Sequence, residues 1–134
     1  MDILKVTRDM YNAFGRGDIE AILGSIAEDV DWGGVGPALE RSVPWLRNGR
    51  GHDAVSRYFA GVAEHMKFSR FSPRAIHRNG NDVIAAVDVE FMVSRTGKRA
   101  ELTECHHFTY SDNGMVIRYR LFVDEPAVAH AFSG

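Results

Sequence analysis

The chain is short of several things, and each shortage removes a class of function. It has one cysteine in 134 residues, Cys105. No internal disulfide can form, and a lone Cys beside a His is not a zinc motif; the content suits a reducing cytoplasm. Positive charge is not in excess: sixteen Lys and Arg against eighteen Asp and Glu give a formal net charge of −2. That cannot neutralise a phosphate backbone, so no nucleic-acid partner is expected. No apolar run approaches the length of a membrane span. The opening MDILKVTRDMYNAF scatters charges where a signal peptide would keep an apolar core, so neither membrane nor export is expected. There is no G-x-S-x-G nucleophile elbow, no internal repeat and no linker.

What remains is an ordinary globular composition, 45% hydrophobic and 25% charged. Residues 1–134 are enough for one core and read as a single domain. From Asp2 to Phe14, Ile3, Val6, Met10 and Phe14 form a helical stripe, with Leu4 and Tyr11 on an adjoining line. Gly15 and Gly17 end it. Asp18 stands as N-cap of a second helix that buries Ile19, Ile22, Leu23 and Ile26. Ala27 to Trp32 is a short extended stretch, with Val30 and Trp32 pointing the same way. Gly33 to Gly51, rich in glycine and holding two prolines, reads as a surface loop. Its Trp45 turns inward, either as an anchor or as part of a pocket lid. His52 to Met66 is a third helix. Lys67 to Arg78 is an imperfect strand in which Pro73 marks an edge or a bulge. After the Asn79–Asp82 turn come three strands, Val83 to Ser94, Arg99 to Ser111 and Met115 to Val123. Asp124-Glu-Pro126 then starts a short helix through Phe132.

Helices first and a run of antiparallel strands after is the order of an α+β domain. Three helices covering a curled meander leave a conical interior suited to a small ligand. Asp88, His106 and Asp124, with Glu104 beside them, are polar where a buried face prefers carbon, and the reading gathers them around one cavity. Leu102, Glu104, His106 and Phe108 share one face of their strand. An imidazole beside a carboxylate can act as acid or base; the plainer alternative is a His satisfied by one buried hydrogen bond. Glu104 is either its partner or a rim residue paired with an Arg. Asp124 is either an N-cap or a cavity carboxylate whose charge Phe122, Trp32 and Phe108 would disfavour. Met10, Phe14, Trp32 and Tyr58 serve as core or as pocket lining. Carboxylates plus imidazole could ligate a metal, but no compact ligand spacing exists and none is expected.

Several passages together resemble a known superfamily: Tyr11-Asn-Ala-Phe-Gly-Arg-Gly-Asp18, Ile26-Ala-Glu-Asp-Val-Asp-Trp32, Val43-Pro-Trp45 through Gly51-His-Asp-Ala-Val55, and Gly114-Met-Val-Ile-Arg-Tyr-Arg-Leu-Phe-Val-Asp124. In order and spacing they are similar to the nuclear transport factor 2-like, cystatin-like superfamily, nearest its SnoaL-like polyketide cyclase and ketosteroid isomerase-related branch. The resemblance implies a cystatin-like cone. It transfers active residues only in part. The helix-one Tyr of the steroid-isomerase pattern falls on Met10, its base on Gly34 and its oxyanion-hole acid on His106. The two carboxylates of the limonene epoxide hydrolase-like pattern fall on Asp88 and Asp124, but its arginine falls on Ala86 and its water-holding Tyr and Asn on Trp32 and Gly34.

Strand alternation alone puts Asp88 and Glu90 in solvent and Val83, Ala85, Val87, Val89 and Phe91 in the core. The resemblance implies the reverse, with Asp88 inside and the apolar face covered by a second subunit, and that arrangement is adopted as the expectation. The expected protein is a cytoplasmic homodimer, paired through its outer sheet face, that binds an apolar small molecule. It would act as a cofactor-independent acid–base enzyme, an isomerase, cyclase, hydratase or hydrolase on a cyclic or carbonyl-bearing substrate. Asp88 and Asp124 would exchange protons and His106 would orient the substrate. Trp32, Tyr58, Glu104, Phe108, Phe122, Met10, Phe14 and Trp45 would line the site. The alternative is a non-catalytic ligand-binding or dimerisation module of the same fold.

Overall fold

The structure, a computed structural model, describes residues 2–134. Asp2 caps α1 (Ile3–Gly15) by accepting from the Lys5 amide, and Asp18 caps α2 (Ile19–Leu23) by accepting from Ala21. Between them Gly17 takes φ +71°, the left-handed turn that lets the chain reverse. β1 (Ile26–Gly33) follows. The Gly33–Gly51 stretch is more ordered than its glycine and proline content predicts. It holds α3 (Pro37–Ser42), with proline in the first turn, a 3-10 turn at Pro44–Leu46 and a short β2 (Gly49–Arg50). α4 (Gly51–His65) leads into β3 (Met66–Asn79), β4 (Asp82–Val93), β5 (Arg99–Tyr110) and β6 (Val116–Phe122), and α5 (Glu125–Phe132) closes the chain.

The strands form one sheet in the order β2-β1-β6-β5-β4-β3, with β1 parallel to β6 and every other pair antiparallel. Pro73 lies on the edge strand β3, beside a register shift between Pro73 and Ala75, so its missing N–H interrupts no central ladder. Among the described residues no helix is long and apolar enough to cross a membrane.

β4 decides which face of the sheet is inside. Val83, Ala85, Val87, Val89, Phe91 and Val93 are all buried against the helices. Asp88 and Glu90 are on the other side. This corrects the expectation that Asp88 faces the cavity. Each buried Val or Phe stabilises the fold by about 1.5–3 kcal/mol, whereas the opposite facing would bury two carboxylates. Strand alternation therefore overrides the family parallel. It also removes the apolar outer face on which the expected dimer rested. The outer surface is mostly polar and internally paired: Arg74 Nε donates to Asp88 Oδ2 at 2.8 Å, and Thr103 donates to Asp88 Oδ1 at 2.7 Å. Those bonds, Thr103's first, hold the Asp88 carboxyl below its usual range.

Candidate active site

Glu104 and His106 lie two residues apart on β5 and so project from the same, inner face. The sheet meets α1 there, and Tyr11 completes the group. Tyr11 Oη is 2.7 Å from His106 Nδ1, and His106 Nε2 is 2.8 Å from Glu104 Oε1. The side chains of His106 and Glu104 are only 7% and 11% exposed. An ionised Glu104 can only accept, so Nε2 carries a proton, and Nδ1 is free to accept the phenol's O–H. A buried carboxylate without a partner is strongly disfavoured; here the imidazole supplies one.

The surroundings are almost entirely carbon. The pocket is walled by Met10, Phe14, Trp32, Trp45, Tyr58, Phe108 and Tyr119, with Leu121 and Val128 nearby, and has a free volume of about 80 Å³. The Tyr11 and His106 rings stack with centroids 5.8 Å apart, and Tyr119 stacks on Trp32 at 4.2 Å. Burial raises the Tyr11 phenol far above its ordinary value, and the Glu104 charge adds to this. Burial also raises Tyr58 and Tyr119. All three phenols therefore stay protonated and can act as hydrogen-bond donors.

Trp45 turns inward as expected. Its ring occupies the space over Gly61 of α4, where an added Cβ would lie 2.2 Å from it, and it stacks on His65 at 5.8 Å. The segment carrying it is tied down at two points. Gly34 N donates to Asn48 Oδ1 at 2.8 Å, and Gly36 N donates to both Glu125 oxygens at 3.1 and 3.0 Å.

Of the residues singled out in the sequence, Met10, Phe14, Trp32, Trp45, Tyr58, Glu104, His106 and Phe108 line this pocket. Three do not. Asp88 is on the outer face, as described. Asp124 is exposed and caps α5, accepting from the Ala127 amide at 3.1 Å, so its capping role displaces the cavity role. Phe122 is 54% exposed on the outer face, because β6 turns Tyr119 and Leu121 inward. The carboxylate pair of the epoxide-hydrolase pattern is therefore not assembled. The base position of the isomerase pattern is also closed: Gly34 has φ +115°, and a Cβ there would lie 2.6 Å from the Leu121 carbonyl oxygen. Among the described residues no three His, Cys, Asp or Glu side chains gather to hold a metal.

The residue that sequence reasoning missed is Tyr11. In sequence it lies on the line adjoining the main stripe of α1, one position after Met10, where the helix-one tyrosine of the isomerase pattern falls. Neighbouring helical positions are about 100° apart, yet both side chains reach the pocket. The usable signal was a lone hydroxyl-bearing aromatic beside the buried stripe of a helix facing a polar strand.

Solved structures share this architecture. An NTF2-like protein from Burkholderia pseudomallei K96243 superposes with TM-score 0.88 at 20% identity, covering 100% of this chain and 99% of that one. TerC, co-crystallised with polyporic acid, gives 0.82 at 24% identity over 98% of each chain. A candidate polyketide cyclase from Pseudomonas putida KT2440 gives 0.81 at 16% identity over 99% of each. These likenesses define an NTF2-like cone of helices on a curled, unclosed sheet. Within that fold class the chain belongs to the SnoaL-like domain family, whose model matches residues 7–119. No sequence among curated proteins matches it.

Proposed function

We propose that the pocket is the active site of a cofactor-independent acid–base enzyme of the SnoaL-like kind, performing isomerisation, cyclisation or hydration on a neutral, apolar, cyclic or carbonyl-bearing molecule. The observation that carries this reading is the Tyr11–His106–Glu104 chain of hydrogen bonds, enclosed in a wall of aromatic carbon. In this reading Glu104 fixes the Nε2–H tautomer and Tyr11 presents its oxygen to the substrate. A proton leaving substrate carbon arrives on Tyr11 Oη as the phenol's own proton passes to Nδ1. The reverse transfer returns a proton at another substrate atom. The phenol never becomes a free phenolate, in keeping with its raised pKa. The transfer also converts a lone buried carboxylate into an imidazolium–carboxylate pair, which a low-dielectric site favours. The candidate cyclase among the similar structures, and polyporic acid in TerC, are consistent with cyclic ligands in this fold.

The test is catalysed hydrogen–deuterium exchange next to the carbonyl in a panel of neutral cyclic ketones. The reading predicts exchange by the wild type and a loss of about a hundredfold or more in Tyr11→Phe and in Glu104→Gln. Variants as active as the wild type, or no exchange across the panel, contradict it. A ligand-binding module is the second reading, favoured because the three polar side chains are already bonded to one another. It predicts a co-purifying apolar ligand with no exchange. Self-association belongs to the proposal as well. Phe122, paired with Cys105, and Ile84, paired with His107, are exposed on the outer face; sedimentation should show a dimer that Phe122→Lys weakens, and a monomeric wild type contradicts that part.

A further inference from the structure

The chamber around His106 can enclose only one end of a ligand. Its free volume is about 80 Å³, while a groove beside it offers about 620 Å³. An apolar cavity of about 150 Å³ is what takes up benzene. The groove runs past the end of α1, the start of α2 and the end of α4, beside the β3 edge. The two spaces are continuous in their walls: Tyr11, Phe14, Phe59, Met66, Phe68 and Phe71 line both.

The divide between them is a cluster of rings. Phe14 is 4.7 Å from Phe71, 5.8 Å from Phe59 and 6.0 Å from Phe68, centroid to centroid. Phe71 also faces the reacting groups, 6.1 Å from the Tyr11 ring and 6.3 Å from His106. It sits on the edge strand between two register shifts, at Phe68/Arg70 and Pro73/Ala75. Pairing there is broken on both sides, and the strand has no neighbour beyond it. The groove wall contains no Lys, Arg, His, Asp or Glu; its only polar side chains are Asn12 and Tyr11.

We propose that chamber and groove are two subsites of one binding site, made for an elongated apolar molecule of two or more rings. Its hydrogen-bonding head meets Tyr11 in the chamber, and its apolar tail lies in the groove across Phe71. This rests on the acid–base reading of the chamber, and it names the substrate class by size and shape. Phe71 divides the subsites and limits how far the head penetrates.

Calorimetric titration with phenol and with 4-phenylphenol tests it. The second ring should tighten binding at least tenfold in the wild type. Ala63 is exposed on α4 and lines the groove but not the chamber, so Ala63→Trp should bring the ratio of the two affinities close to one. Ala63→Phe at the same exposed position should lower it too. Equal affinities in the wild type, no saturable binding of 4-phenylphenol, or a ratio unmoved in both variants overturns the proposal. Tyr11→Phe separates it from the reading beneath. Weaker phenol binding in Tyr11→Phe without any preference for 4-phenylphenol spares the acid–base chamber and removes the groove. A preference abolished by Ala63→Trp, with phenol held equally well by Tyr11→Phe, keeps the groove and removes the acid–base head contact.

Discussion

Adjacent histidines on β5 each pair with a carboxylate, and the two point in opposite directions. His106 Nε2 meets Glu104 Oε1 at 2.8 Å on the inner face; His107 Nε2 meets Asp82 Oδ1 at 2.8 Å on the outer face. The distances are the same and the surroundings are not. The inner side chains are 7% and 11% exposed, the outer ones 32% and 47%. Water screens the outer pair and supplies substitute hydrogen bonds, so its net worth is small. The inner pair has no such substitute, and the Glu104 charge acts on Tyr11 and on anything bound beside it. A hydrogen-bond distance alone therefore does not identify a functional histidine; the face of the strand does.

The largest break in this comparison comes from His106→Ala, which leaves Glu104 buried without a partner. It should cost about 3–5 kcal/mol in urea denaturation. A cost no larger than that of the matching outer change would mean that the inner pair is solvated. Next is the wall that keeps water out. Gly61→Ala forces the Trp45 ring off α4, which should cost about 1–3 kcal/mol and shift tryptophan emission; an unchanged spectrum would show that Trp45 is not held there. Asp124→Ala removes the α5 cap for about 1 kcal/mol and should leave ketone exchange intact, in contrast to any change at Glu104. The smallest effect is His107→Ala, within about 1 kcal/mol.

The two faces should also separate on the pH axis. The hydrogen bond from His107, then that from Thr109, holds the Asp82 carboxyl below its ordinary range. Its contribution to stability is present above the unfolded carboxylate value of about 3.9 and is lost as pH falls through the folded value, so Asp82→Asn should flatten the acid limb of the stability curve. Tyr11 is shifted the other way. Its contribution is present below the ordinary phenol value of about 10 and is lost as pH rises beyond it, because the unfolded chain ionises first. Tyr11→Phe should flatten the alkaline limb. Acid and alkaline denaturation midpoints check both; a Tyr11→Phe profile that differs from wild type only in acid would contradict the burial of the phenol.

Much of this was legible in the sequence, because it rests on local rules. The stripes of α1 and α4, the Asp18 cap, the Pro73 edge strand and the inward Trp45 follow from periodicity, capping and backbone chemistry. The period-two pattern of β4 also gives its facing correctly, with Val83, Ala85, Val87, Val89 and Phe91 inside. The family register puts Asp88 in the cavity instead, and six buried apolar side chains outweigh that register. Asp124 matched two roles, and Pro126 just after it already favoured the cap. Tyr11 was illegible for a different reason. Its role depends on where α1 crosses β5, with Tyr11 and His106 95 positions apart in the chain, and no local pattern encodes that crossing. α3 was hidden by the glycines around it, although Pro37 in its first turn is a helix-start signal.

The most direct test sets the two neighbouring histidines against each other in the deuterium-exchange assay with neutral cyclic ketones. His106→Gln should lose about a hundredfold or more of the wild-type rate, and His107→Gln should keep it. Equal rates in the two variants, or a loss confined to His107→Gln, would contradict the account of the inner pair as the proton-transfer group.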